Sequence, residues 1–107
     1  MKSDDAVWVV VMFDLPVDTA QKRKIANKYR VKLLNLGFSR VQLSVYCKYL
    51  ISASGVAWLS HVIEQNMPDA GTVRMLTITD TQWAKMLYFE GKKQGNVEPP
   101  PEQLLIF

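Results

Sequence analysis

Six basic side chains, Lys22, Arg23, Lys24, Lys28, Arg30 and Lys32, fall within eleven residues that contain no acid. A run of this kind either coats a solvated helix face or presents a local positive field that suits a polyanion such as nucleic acid. Other chemistry is scarce. His61 is the one histidine, so no histidine cluster can form, and an ordinary structural role is expected for it. Cys47 is the one cysteine, which rules out an internal disulfide and fits a reducing compartment. Ser44 has no base near it in sequence and is not read as a nucleophile. Trp8, Trp58 and Trp83 are expected in a core or an interface. The carboxylate with the most distinctive setting is Asp14, which closes the apolar run Ala6 to Phe13 and opens the turn Asp14-Leu15-Pro16. In such a turn a carboxylate can anchor backbone N–H groups.

These residues need elements to hold them. Ala6 to Phe13 is rich in β-branched and aromatic residues and does not alternate, which predicts a central strand apolar on both faces. Asp18-Thr19-Ala20-Gln21 has the form of a capping box, with Asp18 as N-cap and Gln21 as its partner. The helix it opens is expected to end near Leu36, with Gly37 as its C′ residue. Ala26, Tyr29, Leu33 and Leu36 make its apolar stripe, and the cations flank that stripe. Phe38 to Ile51 reads as a second strand region with a bend or hairpin near Cys47. In it Val41, Leu43 and Val45 alternate with Arg40, Gln42, Ser44 and Tyr46, so period two places the latter four on one face. A second helix is expected over 54–65, a strand over 72–79, one helical turn over 80–85 and a short strand over 86–89.

The order is the β-α-β-β-α-β of a ferredoxin-like α+β fold with an antiparallel sheet, and it is followed by an extra C-terminal strand. Residues 1–90 form the domain, 91–102 a Gly- and Pro-rich flexible linker, and 103–107 the added strand. Two helices cover one face of such a sheet, whereas the first strand is apolar on both. A second copy of the chain, giving a homodimer, is the simplest cover. The strand 103–107 then either pairs across the dimer or folds back on its own sheet edge.

The chain has 107 residues, enough for one domain. Its basic charge is uneven: residues 1–50 hold nine Lys and Arg against four Asp and Glu, while residues 51–107 hold four against six. The eight-residue apolar run is far too short to cross a bilayer. Its flanks also lack the charge and cleavage pattern of a signal peptide. No membrane partner and a cytoplasmic location are the expectation.

Val9-Val10-Val11-Met12-Phe13-Asp14-Leu15-Pro16, the helix opening at Asp18-Thr19, and Gly37-Phe38-Ser39-Arg40-Val41-Gln42-Leu43-Ser44-Val45-Tyr46 together resemble the CRISPR-associated Cas-two (Cas2) family. Met75-Leu76-Thr77-Ile78-Thr79-Asp80-Thr81-Gln82, followed by Met86-Leu87-Tyr88, resembles its type II branch. The resemblance implies a ferredoxin-like homodimer that serves in CRISPR spacer acquisition. There it would bridge the CRISPR integrase, Cas-one, and contact the double-stranded DNA protospacer. It also implies metal-dependent endonuclease activity, with Mg²⁺ or Mn²⁺, on single-stranded RNA or double-stranded DNA. On the family pattern the metal ligand and catalytic residue is Asp14. Phe13 stands where many members have Tyr, and Arg40 and Tyr46 match the second-strand motif. Of an arginine pair early in the first helix only Arg23 matches, because Gln21 holds the other position.

One carboxylate is a sparse Mg²⁺ site, since this ion takes one or two carboxylates plus water and phosphate oxygens. A two-fold axis near the end of the first strand would bring two Asp14 side chains together. Arg23, Lys24, Lys28 and Arg40 are the candidate contacts to nucleic-acid phosphates, which position a duplex without reading its sequence. Two function classes stay open: a metal-dependent nuclease, and a non-catalytic adaptor on duplex DNA. A related RNA-cleaving toxin of the same fold is a further alternative.

Overall fold

A computed structural model describes residues 4–91. The elements run β1 (Val7–Asp14), α1 (Ala20–Asn35), β2 (Ser39–Gln42), β3 (Val45–Leu50), a single 3-10 turn (Ala53–Gly55), α2 (Val56–Gln65), β4 (Thr72–Thr79) and α3 (Asp80–Ala84). The four strands form one sheet in the order β2-β3-β1-β4. Each neighbouring pair is antiparallel. This is the expected ferredoxin-like arrangement. No helix among the described residues is long and apolar enough to cross a membrane. The linker and the strand expected over 92–107 lie outside the described residues.

β1 has a hydrogen-bonded neighbour on each side, so it is the central strand that its β-branched sequence predicts. Its inward residues Val7, Val9, Val11 and Phe13 are buried, and its outward residues Trp8, Val10 and Met12 are half-buried. The core beneath the helices joins Val9, Val11 and Phe13 to Leu15, Ala26, Tyr29, Leu33, Phe38, Tyr46, Leu59 and Ile63. Phe13 is its aromatic hinge, with Tyr29 edge-on at 5.5 Å and Tyr46 face-on at 5.6 Å between centroids. Burial pushes the Tyr29 phenol up to about 12, so it stays protonated at neutral pH. Leu33 lies at the centre, 1% exposed. Leu33→Ala should therefore cost about 2–5 kcal/mol, a large part of the stability of a domain this size, as read by urea unfolding.

α1 ends as its sequence indicates. Gly37 takes φ +91°, and the Gly37 and Phe38 amides donate to the Leu34 and Leu33 carbonyls, both at 3.0 Å. This is a Schellman turn, with Phe38 packed into the same core as Leu33. The start of the helix differs from expectation. The N-cap is Thr19, whose side chain accepts from the Lys22 amide, and the expected box of Asp18 with Gln21 does not form. Asp18 instead pairs with Lys22 at 3.2 Å, one turn on. That pair holds the Asp18 carboxyl below its usual range, but as an exposed ion pair it adds little to stability.

Two expected strand details are also corrected. The second strand region is a hairpin, with Leu43 and Ser44 at its turn and a register shift between Arg40 and Gln42. Arg40 sits opposite Tyr46, and Gln42 opposite Val45. Directly paired residues share a face, so Arg40 and Gln42 point to opposite sides of the sheet. The single polar face of Arg40, Gln42, Ser44 and Tyr46 therefore does not exist, and Tyr46 is 2% exposed in the core. The strand expected over 86–89 is absent too. Met86, Leu87, Tyr88 and Phe89 are exposed, and no described strand runs beside them. A strand needs a partner for its backbone groups, and the described chain supplies none there.

Candidate active site at the end of the first strand

Asp14 is the last residue of β1 and is exposed on the sheet face away from α1 and α2. Local connections fix its place. The Phe13 amide donates to the Ser44 carbonyl at 3.0 Å, tying the end of β1 to the β2–β3 turn. On the other side Thr72, the first residue of β4, lies directly opposite Asp14. Gly71 makes that approach possible. It takes φ +96°, and a Cβ there would meet the Asp14 carbonyl oxygen and Leu15 Cδ2, each at 2.7 Å. Gly71→Ala combines a left-handed backbone with a clash against backbone, so about 2–4 kcal/mol of destabilisation is expected in thermal or urea unfolding.

A shallow cavity of about 260 Å³ opens here, lined by Met12, Phe13, Asp14, Ser44, Val45, Thr72 and Arg74. Arg74 follows Thr72 by two and pairs with Met12, so it lies on the same face as Asp14 and diagonal to it. Among the described residues the two side chains form no ion pair with each other or with any other group. The Asp14 carboxylate also takes no backbone hydrogen bond there, so it does not anchor the Asp14-Leu15-Pro16 turn. A carboxylate, a guanidinium and two hydroxyl-bearing residues thus share one open cavity.

Of the other expected site residues only Phe13 borders this cavity. Phe13 and Tyr46 turn to the opposite side of the sheet, 8% and 2% exposed, where they support β1 from the core. Arg23, Lys24 and Lys28 are exposed on α1. Lys24 and Lys28 lie one turn apart in a row. Arg23 is rotated away from them, and its guanidinium donates to the Val17 carbonyl at 3.0 Å, bracing the loop between β1 and α1. Arg40 is exposed on the sheet-edge strand β2, on the side of the helices. None of these four lines the Asp14 cavity. Arg74 was not singled out by sequence reasoning. Its signal was present, since it is the one charged residue in Thr72–Thr79.

The face that carries Asp14 is apolar along the rest of its length. Trp8, Val10 and Met12 continue into Leu76 and Ile78 on β4 and Tyr49 on β3, with Leu76 and Tyr49 49% and 45% exposed. At the far end Trp8 stacks on Trp83 at 4.2 Å and donates its indole N–H to Asp80 at 2.8 Å, pinning α3. Tyr49 meets Trp8 edge-on at 5.2 Å. Cys47 is buried, and its burial pushes the thiol pKa up, which makes it a poor nucleophile. No group of three or more His, Cys, Asp or Glu able to hold a metal occurs among the described residues, so each chain offers Asp14 alone at this cavity.

The family model for CRISPR associated protein Cas2 matches residues 7–86. The chain belongs to the Cas2 family. Proteins named CRISPR-associated endoribonuclease Cas2 are similar over nearly its whole length. The one from Flavobacterium psychrophilum is 37% identical over 95% of this chain and 89% of its own. Those from Paracidovorax avenae and Parvibaculum lavamentivorans are each 38% identical over 94% of this chain, covering 94% and 100% of their own lengths. A crystal structure of Cas2 superposes with a TM-score of 0.58 at 20% identity, covering 90% of this chain and 99% of that one, which supports the fold. In this Cas2 chain the strand-ending Asp14 and the apolar face behind it belong to one continuous surface.

Proposed function

We propose that the protein is a metal-dependent endonuclease that acts as a homodimer through Asp14, in the adaptation stage of CRISPR immunity. The observation that carries this reading is the setting of Asp14: an exposed carboxylate with no partner among the described residues, in a cavity it shares with Arg74, at the rim of an apolar face. The endoribonuclease name of its relatives supports RNA as a substrate, with double-stranded DNA as the second candidate. The apolar face favours a second copy as its cover, because an isologous two-fold contact would bury the same residues from both chains.

Asp14 is the residue that would hold Mg²⁺ or Mn²⁺, with water and substrate phosphate oxygens completing the shell. When bound, the ion supplies a water of lowered pKa and polarises the phosphate. Two Asp14 carboxylates near a two-fold axis would repel one another, and that repulsion favours uptake of a cation. Ser44 and Thr72 bring hydroxyl groups to the same cavity. The test is cleavage of labelled single-stranded RNA and duplex DNA by wild type and Asp14→Asn, with Mg²⁺, Mn²⁺ or EDTA. Cleavage that needs the metal and Asp14 supports the nuclease. Cleavage that is absent, or indifferent to both, refutes it.

A second reading rests on a separate observation. Lys24 and Lys28 form an exposed row on α1 that lies outside the Asp14 cavity. Such a row can hold a duplex backbone without chemistry, which suits an adaptor that carries protospacer DNA to the integrase, Cas-one. Both roles are compatible in one cytoplasmic homodimer.

A further inference from the structure

We propose that Arg74 is the residue of this site that binds the reacting phosphodiester, taking its non-bridging oxygens while Asp14 serves the opposite side of the cavity. This rests on the nuclease reading for the reaction, but the phosphate contact itself does not depend on it.

Three observations carry the assignment. The first is placement. Thr72 is opposite Asp14 and Arg74 is opposite Met12, which sets Arg74 and Asp14 diagonally across an antiparallel pair, with Cα atoms about 7–8 Å apart. A phosphate group fits that span, and both side chains line the same cavity. The second is the missing partner. A carboxylate and a guanidinium so close on one face could pair, yet among the described residues neither makes an ion pair. Each is left available, one for a cation and one for an anion. The third is the surroundings. Arg74 stands between Met12 and Leu76 on a face whose other members are mostly apolar. Covering that face removes water from the guanidinium, and a desolvated cation needs an anion. The planar fork of arginine suits a tetrahedral phosphate, and one such donor aimed at developing charge is worth about 10²–10³ in rate. The exposed Lys24 and Lys28 do not line the cavity, so they cannot substitute.

The experiment measures two things. The first is binding of a labelled single-stranded RNA oligonucleotide against salt, in the Asp14→Asn background to prevent turnover. The second is cleavage by Arg74→Ala, Arg74→Gln and Arg74→Lys in an otherwise native dimer, with melting temperature and sedimentation as controls. Arg74→Ala and Arg74→Gln are expected to lower kcat about 10²–10³-fold. They are also expected to flatten the plot of log affinity against log salt by about 0.7, the loss of one phosphate contact on a single strand. Arg74→Lys keeps the charge and is expected to keep the salt slope while losing part of kcat, which retains a readout if the neutral variants fail to fold. If wild type cleaves nothing but Arg74→Ala still flattens the slope, the nuclease reading falls and the phosphate contact stands. An unchanged slope overturns the proposal, and so does dissociation of the dimer with slope unaltered, which would make Arg74 an interface residue.

Discussion

On the nuclease reading proposed above, Asp14→Asn should abolish metal-dependent cleavage, lowering the rate about 10³-fold or more, while melting temperature and any duplex binding by the wild type stay as they are. The size follows from what a bound metal contributes to phosphodiester hydrolysis, several kcal/mol of charge stabilisation, at about 1.4 kcal/mol per tenfold in rate. The amide keeps the shape of the carboxylate and removes its charge. Folding is spared because Asp14 is exposed and its carboxylate takes no hydrogen bond among the described residues. Duplex binding is expected to be spared because the proposed phosphate contacts, Arg23, Lys24, Lys28 and Arg40, lie outside its cavity. Cleavage unchanged in the mutant would move the protein to the adaptor class. Loss of cleavage together with a fall in melting temperature would show that Asp14 supports the fold instead.

In the homodimer proposed above, Leu76→Glu should break the contact between the copies, with an expected weakening of about 10³-fold or more by analytical ultracentrifugation. Leu76 is 49% exposed and sits across from Val10 in the middle of the apolar face. Two-fold symmetry enters the change twice, and each new carboxylate is forced into an apolar contact near its mate, at several kcal/mol. The monomer should keep its melting behaviour, because Leu76 is not part of the core under the helices. Cleavage is expected to fall with the dimer, since one chain offers one carboxylate at the cavity. A wild-type protein that sediments as a monomer, or a variant that stays dimeric, would remove the apolar face as the interface. Cleavage by a monomeric variant would show that one Asp14 suffices.

Much of the scaffold was legible because its signals are local. The run Ala6 to Phe13 could be little else than a strand apolar on both faces, and β1 lies at the centre of the sheet. The stripe Ala26, Tyr29, Leu33 and the stop at Gly37 described α1 to within a residue. The cap was misplaced by one position because Asp18 and Thr19 can both cap, and only the backbone angles at Thr19 decide between them. The hairpin went unread at Leu43 and Ser44 because that turn uses no glycine and no positive φ. Period two was therefore carried through the turn, and Tyr46 was grouped with the polar residues although it faces the core.

Composition and local pattern determined the fold class, the central strand and the position of Asp14 at its end, because each follows from the nearest few residues along the chain. The site around Asp14 was decided by tertiary structure. Arg74 lies sixty positions away in sequence, and its place beside Asp14 depends on the register of β4 against β1, which Gly71 permits by letting two backbones touch. The burial of the Phe13 and Tyr46 side chains in the core, away from the face of Asp14, is likewise a matter of which face each strand turns inward. Register is a pairing between distant segments, and a slip of one residue would exchange every inward and outward side chain.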